Sequence, residues 1–175
     1  MSWFRNKDYY YYYFRYIIPV SNPDGYEYSI NKNRLWRKNR RRFSGPCDGV
    51  DINRNFDSYW SFKGASSDIC AHDYFGLHAF SEQESIAIRD LLQGTHFTGF
   101  VSIHGFGSGV YFPWMATGRK TTDYKMHSHV SKEVKKVGFH TIFVNFVYLL
   151  TLLKYCMYIV NITIIFYVYI ICILI

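Results

Sequence analysis

Residues 49–60 read GVDINRNFDSYW. Val50, Ile52 and Phe56 have the character of buried positions, yet Asn53, Arg54 and Asn55 stand among them. A guanidinium withdrawn from water is costly unless an anion meets it. One reading gives Arg54 an internal partner, Asp51 or Asp57. The other leaves it to meet an anion from outside the chain. The residues by themselves leave the choice open.

Two further features carry chemistry. TGFVSIH (Thr98–His104) reads as a short buried strand that closes on a histidine. By itself such a histidine is a structural hydrogen-bonding residue more often than a ligand. KNRLWRKNRRR (Lys32–Arg42) holds seven cations and no acid. The chain has 20 basic residues, and the 13 elsewhere balance its 13 acidic ones, so the net charge of +7 belongs to this one run. A solvated loop with one or two functional arginines is the reading adopted, and no nucleic-acid partner is expected. The four cysteines, Cys47, Cys70, Cys156 and Cys172, show no CxxC or Cys/His zinc spacing. On spacing alone, a bond between Cys47 and Cys70 is an open question.

The elements that would position these residues follow from local pattern. YIIPV (Tyr16–Val20) predicts a buried strand, stopped by SNPDGY as a turn. Ser81 and Glu84 form a capping-box pattern, and a helix is expected to about Leu92 with Ala87, Ile88, Leu91 and Leu92 on its inner face. GVYFPW predicts a further strand. From Asp123 to Val137, Met126, Val130, Val134 and Val137 recur at helical spacing. Strands alternating with helices define an α/β domain, whose ligands gather at the carboxyl ends of strands. His104 and the Asn53-Arg54 pair both fall at such ends.

Composition divides the 175 residues into three zones. Residues 1–15 are a low-complexity segment with five consecutive tyrosines and no apolar signal-peptide core. Residues 16–140 have the punctuation of a globular domain. Residues 141–175 form an apolar tail with one charge, Lys154, and no Gly, Pro, Ala or Ser. By length Tyr155–Ile175 qualifies as a transmembrane helix, which makes a membrane partner conceivable. Its Ile-, Tyr- and Phe-rich makeup is also what A/T-rich flanking DNA encodes, so a mistranslated flank is the competing reading.

Six segments in order, IIPVSNPDGYEYS, NRLWRKNRR, C-DGVDINRNFD-YW, GASSDIC, AFSEQES and FVSIHGFGS, closely resemble the zinc metallocarboxypeptidases of the carboxypeptidase A/B type. The resemblance covers roughly residues 16–140. It implies a fragment of a mixed-sheet α/β/α domain and the removal of C-terminal residues from peptides, with zinc as cofactor and peptide or protein C-termini as partners. Carried over residue by residue, it makes His104 a zinc ligand. Asn53 and Arg54 become the grip on the terminal carboxylate, and Arg37 the group that polarises the scissile carbonyl and stabilises its oxyanion. It also implies a Cys47–Cys70 disulfide, as in secreted members, and with it an extracellular location.

The chain departs from the family's pattern in three places. No HxxE motif, the source of the first two zinc ligands, occurs in the sequence. The general-base glutamate and the tyrosine that closes over substrate belong beyond residue 140, where the apolar tail stands. Gly105 and Phe106 replace a serine and a tyrosine that usually follow the zinc histidine. The expectation is therefore a metallocarboxypeptidase by family whose chain, as given, does not hydrolyse peptides. The alternative is a non-catalytic binder of peptide C-termini.

Overall fold

Asn22 decides where the first helix begins. Its side-chain oxygen accepts from the Gly25 amide at 3.1 Å, and Pro23, which has no amide hydrogen to satisfy, takes the first helical position. SNPDGY is thus not the expected turn but the cap and first turn of helix α1 (Pro23–Asn31). Asp24 in that first turn complements the positive end of the helix dipole.

The computed structural model describes residues 16–95, 97, 99–105, 110–136 and 169–174. The elements are strand β1 (Tyr16–Ile18), α1, a 3-10 turn (Ile52–Arg54), α2 (Gln83–Gly94), β2 (Gly99–His104), α3 (Tyr124–Lys136) and β3 (Tyr169–Leu174). The sheet order is β1-β3-β2, and both pairings are parallel. The expected α/β architecture is present, and no antiparallel strand pair occurs among the described residues. β3 is the central strand: Ile171 lies opposite Ile17 on one side and Val101 on the other.

A small apolar core of Ile52, Ile88, Phe97 and Phe100 joins the 3-10 turn, α2 and β2, with Ile18, Phe56, Leu91 and Leu92 packed against it. Around it the interior is polar. Asn55 is fully buried; its amide donates to the Phe75 carbonyl at 2.9 Å, and its oxygen accepts from Glu82 N at 3.1 Å and Ser85 Oγ at 2.6 Å. One asparagine beside the 3-10 turn thereby fixes where α2 starts.

Several expected elements take another form. β1 is shorter than expected and not buried, with Ile17 59% exposed, because it is an edge strand with β3 on one side only. The capping box at Ser81 does not form: Ser81 Oγ donates to Glu82 Oε1 at 2.6 Å, and α2 starts after Glu82 instead. Ala87 faces solvent, while Ser85 and Ile88 are buried. Residues 110–114 are not a strand; Phe112 packs edge-on against Tyr124, ring centroids 5.6 Å apart. On α3 the buried positions among those described are His127 and Ser131, one turn apart, whereas Met126 is 40% exposed; the side chain of Val134 and all of Val137 lie outside the described residues.

The tail also differs where it is described. Tyr169–Leu174 is a strand paired on both sides, so its backbone groups are satisfied by neighbours rather than within a helix. Residues 155–168 of the suggested membrane span lie outside the described residues. No helix among the described residues is long and apolar enough to cross a membrane.

Candidate functional site

The loop after α1 carries the first site residue. Trp36 packs edge-on against Tyr28 of α1, centroids 4.9 Å apart, and the Arg40 guanidinium lies 3.7 Å from the Tyr28 ring centre. Asn39 N donates to Val50 O at 2.9 Å, Val50 N donates to Asn39 Oδ1 at 2.8 Å, and Gly49 N donates to Arg41 O at 2.8 Å. Residues 37–51 are thereby folded back on themselves, and Arg37 meets Asp51. Gly49 is required for this close approach: its φ is +85°, and a Cβ there would lie 2.3 Å from the Asn39 carbonyl oxygen.

Arg37 Nε donates to Asp51 Oδ2 at 2.9 Å, and its Nη1 donates to the carbonyl of Gly105, immediately after β2. Asp51 is buried and begins the 3-10 turn. Its Oδ1 accepts from Asn53 N at 3.1 Å, and its carbonyl accepts from Arg54 N at 2.9 Å. Arg54 is half-buried. Its Nε donates to the Gly64 carbonyl at 2.6 Å and its Nη1 to the Asn53 carbonyl at 3.3 Å. The internal salt bridge to Asp51 or Asp57 is not made: Asp51 is committed to Arg37, and Arg54 enters no ion pair among the described residues.

His104 closes β2 and is buried. Its Nδ1 faces the Gly105 carbonyl at 2.8 Å, and Nε2 faces the Asn53 amide nitrogen at 3.2 Å. Burial lowers its pKa below the ordinary imidazole value; the Gly105 carbonyl and Asp51 oppose that shift, while Arg37 and Arg54 add to it. Arg37, Asn53 and His104 thus converge at the carboxyl end of β2. Arg54 is adjacent through its backbone, with its side chain turned toward Gly64. Cys47 and Cys70 are bonded, their Cα atoms 5.1 Å apart, closing the loop that contains the turn.

The cationic run is largely engaged within the chain. Arg40 and Arg42 pair with Asp48, Arg41 with Glu82 and Arg37 with Asp51. Lys38 Nζ donates to Ile69 O at 2.6 Å, and burial lowers its pKa against the opposing pull of Asp68, Asp48 and Asp51. Asp51 is the site residue that sequence reasoning missed, having weighed it only as an alternative partner for Arg54. An acid within GVDINRN was visible as a guanidinium partner, but the chain fold-back that gives it to Arg37 was not.

A zinc ion does not fit the described residues as they stand. A catalytic zinc takes three protein ligands, whereas no group of three His, Cys, Asp or Glu side chains among the described residues is placed to hold a metal. Both ring nitrogens of His104 also face hydrogen-bonding partners.

The strand-end histidine and the Asn-Arg turn lie in the segments on which the sequence resembles the metallocarboxypeptidases. The chain belongs to the zinc carboxypeptidase family, whose profile matches residues 7–138. It is 42% identical over 122 residues to carboxypeptidase B2 of Rattus norvegicus, covering 67% of this chain and 29% of that protein. Against carboxypeptidase B of Helicoverpa zea the identity is 40% over 104 residues, covering 56% of this chain and 24% of the relative. The solved structure of bovine thrombin-activatable fibrinolysis inhibitor in complex with tick carboxypeptidase inhibitor superposes with a TM-score of 0.61 at 32% identity, over 73% of this chain and 46% of that one. The chain therefore spans less than a third of the length of these curated relatives.

Proposed function

We propose that this chain carries the substrate-recognition side of a zinc metallocarboxypeptidase, a hydrolase that removes C-terminal residues from peptides. Arg54, assisted by Asn53, receives the terminal carboxylate; Arg37 faces the carbonyl of the last peptide bond, where a fixed donor contributes most as negative charge develops. His104 is the residue here that corresponds to a zinc ligand in the family. The 175 residues by themselves do not hydrolyse peptides, with or without added zinc. A secreted, extracellular setting agrees with the Cys47–Cys70 bond.

The observation that carries this reading is the Arg54 guanidinium, half-buried and paired with no acid among the described residues, beside Asn53 and His104. Its counter-charge is assigned to the substrate. The test is titration of the chain with a short peptide bearing a free C-terminus and with its C-terminal amide. Tighter binding of the free acid supports the reading, and equal binding of the two removes it. Turnover that is abolished by chelator and by His104→Ala would overturn the predicted lack of hydrolysis.

A further inference from the structure

We propose that Asp51 is the positioning residue of this site, orienting Arg37 with one carboxylate oxygen while building the Asn53-Arg54 turn with the other. The inference rests on the reading of Arg37 as the group that meets the substrate carbonyl.

Asp51 Oδ2 accepts from Arg37 Nε at 2.9 Å, and Oδ1 accepts from Asn53 N at 3.1 Å. Its main chain is equally committed: the carbonyl accepts from Arg54 N and the amide donates to Tyr74 O, both at 2.9 Å. With both oxygens bonded and 2% of its surface exposed, the carboxylate has little freedom to turn. A guanidinium is planar. Holding Nε on Asp51 and Nη1 on the Gly105 carbonyl fixes that plane and leaves the Nη2 donors for an incoming oxygen. The same acid sets the turn that places Asn53 and Arg54. One buried carboxylate therefore sets the spacing between the groups that read a chain end, namely the carboxylate grip and the carbonyl donor. A donor held in place before ligand arrives spends no binding energy on ordering itself.

Asp51→Asn separates the two duties. An asparagine oxygen still accepts from Asn53 N, but its amide nitrogen cannot accept from Arg37 Nε. The chain, with its disulfide intact, is titrated calorimetrically with three probes: a free-acid peptide, its C-terminal amide, and a free-acid analogue whose last peptide bond is a trans-alkene lacking the carbonyl oxygen. The expected result is that the unsubstituted chain prefers the peptide over the alkene by about tenfold. Asp51→Asn and Arg37→Met should each reduce that preference to about twofold or less, while the acid-over-amide preference persists. In the Arg37→Met background Asp51→Asn should have no further effect, which separates positioning from general support of the fold. Where Asp51→Asn unfolds, Asp51→Glu, which keeps the charge but displaces it by one methylene, should show the same loss. A carbonyl preference that is absent from the unsubstituted chain, or that survives substitution of Asp51, overturns the inference and leaves the carboxylate grip standing. Equal binding of acid and amide overturns both.

Discussion

The Asn53 side-chain amide meets His104 Nε2 at 3.2 Å, tying the carboxylate grip to the strand-end imidazole. An amide nitrogen only donates, so Nε2 accepts and the ring hydrogen sits on Nδ1, facing the Gly105 carbonyl at 2.8 Å. This neutral tautomer agrees with the direction in which burial moves the imidazole pKa. It also means that the Asn53 amide already has a partner within the chain, which leaves the larger share of anion recognition to Arg54.

Arg54→Ala should therefore weaken binding of a free-acid peptide by roughly ten- to a hundredfold, the range for a hydrogen bond to a charged group. Binding of the C-terminal amide should hardly change. The unfolding midpoint should move little, because among the described residues Arg54 bonds only two main-chain carbonyls, from a half-buried position. Parallel calorimetry and urea unfolding read both quantities. Equal losses for acid and amide would point to damage to the loop rather than loss of a carboxylate partner.

Acidification should destabilise the fold through its buried histidines. His127 lies on α3 with Thr121 Oγ1 3.2 Å from Nδ1 and the Phe112 ring centre 5.7 Å away. Burial lowers its pKa, with Asp123 opposing, and His104 is shifted the same way. The unfolded chain binds protons first as pH falls through about 6.5. Stability is thus fully present above that pH and declines from there down to the folded pKa values. Urea midpoints measured from about pH 8 to 5 should be flat at first and then fall, and His127→Gln should flatten part of the decline. A midpoint that rises on acidification contradicts the assignment.

Local patterns made β2 and α3 legible in the sequence, and ordered motifs made the family legible. Both depend on neighbours in the chain. What escaped depends on distant contacts. Asn-Pro-Asp-Gly has the chemistry of a turn and equally of a helix start; tertiary placement, with Asn22 Nδ2 donating to Lys38 O at 3.2 Å, belongs to the second. Ser81 looked like a cap because its competing partner, Asn55, is 26 residues away. The stripe of Met126 and Val130 on α3 outweighed His127 in hydrophobicity, yet His127 fills the space beside Phe112. The Arg37–Asp51 pair needed the fold-back at Asn39 and Val50 before either partner could be assigned.

The Cys47–Cys70 bond should contribute to recognition as well as to stability. The residues are 23 apart in sequence, and the loop they close contains Asp51, Asn53, Arg54 and the Gly64 carbonyl that holds Arg54. A loop of this length corresponds to about 3 kcal/mol of stabilisation through the unfolded chain. The Cys47→Ser/Cys70→Ser double variant should lose stability of that order. It should also lose part of the acid-over-amide preference, because the segment from Gly64 to Ile69 is no longer tethered. Full retention of the preference with the stability loss would confine the disulfide to the unfolded state.

β1 and β2 do not pair with each other; each takes its sheet hydrogen bonds from β3, so β3 supports both edges at once. In detergent-free buffer the amides of Tyr169–Leu174 should exchange slowly, at rates close to those of Gly99–His104, because they belong to one ladder. Ile171→Pro removes one ladder donor at the position that lies in register with Ile17 and Val101, and a proline ring in a central strand is poorly tolerated. The substitution should accelerate exchange across β1 and β2 together. It should also promote association of the chain, since two newly unpaired edges present open hydrogen-bonding groups to other copies. Fast exchange at 169–174 in the unsubstituted chain, with protection retained at 99–104, would remove β3 from the sheet and with it this expectation.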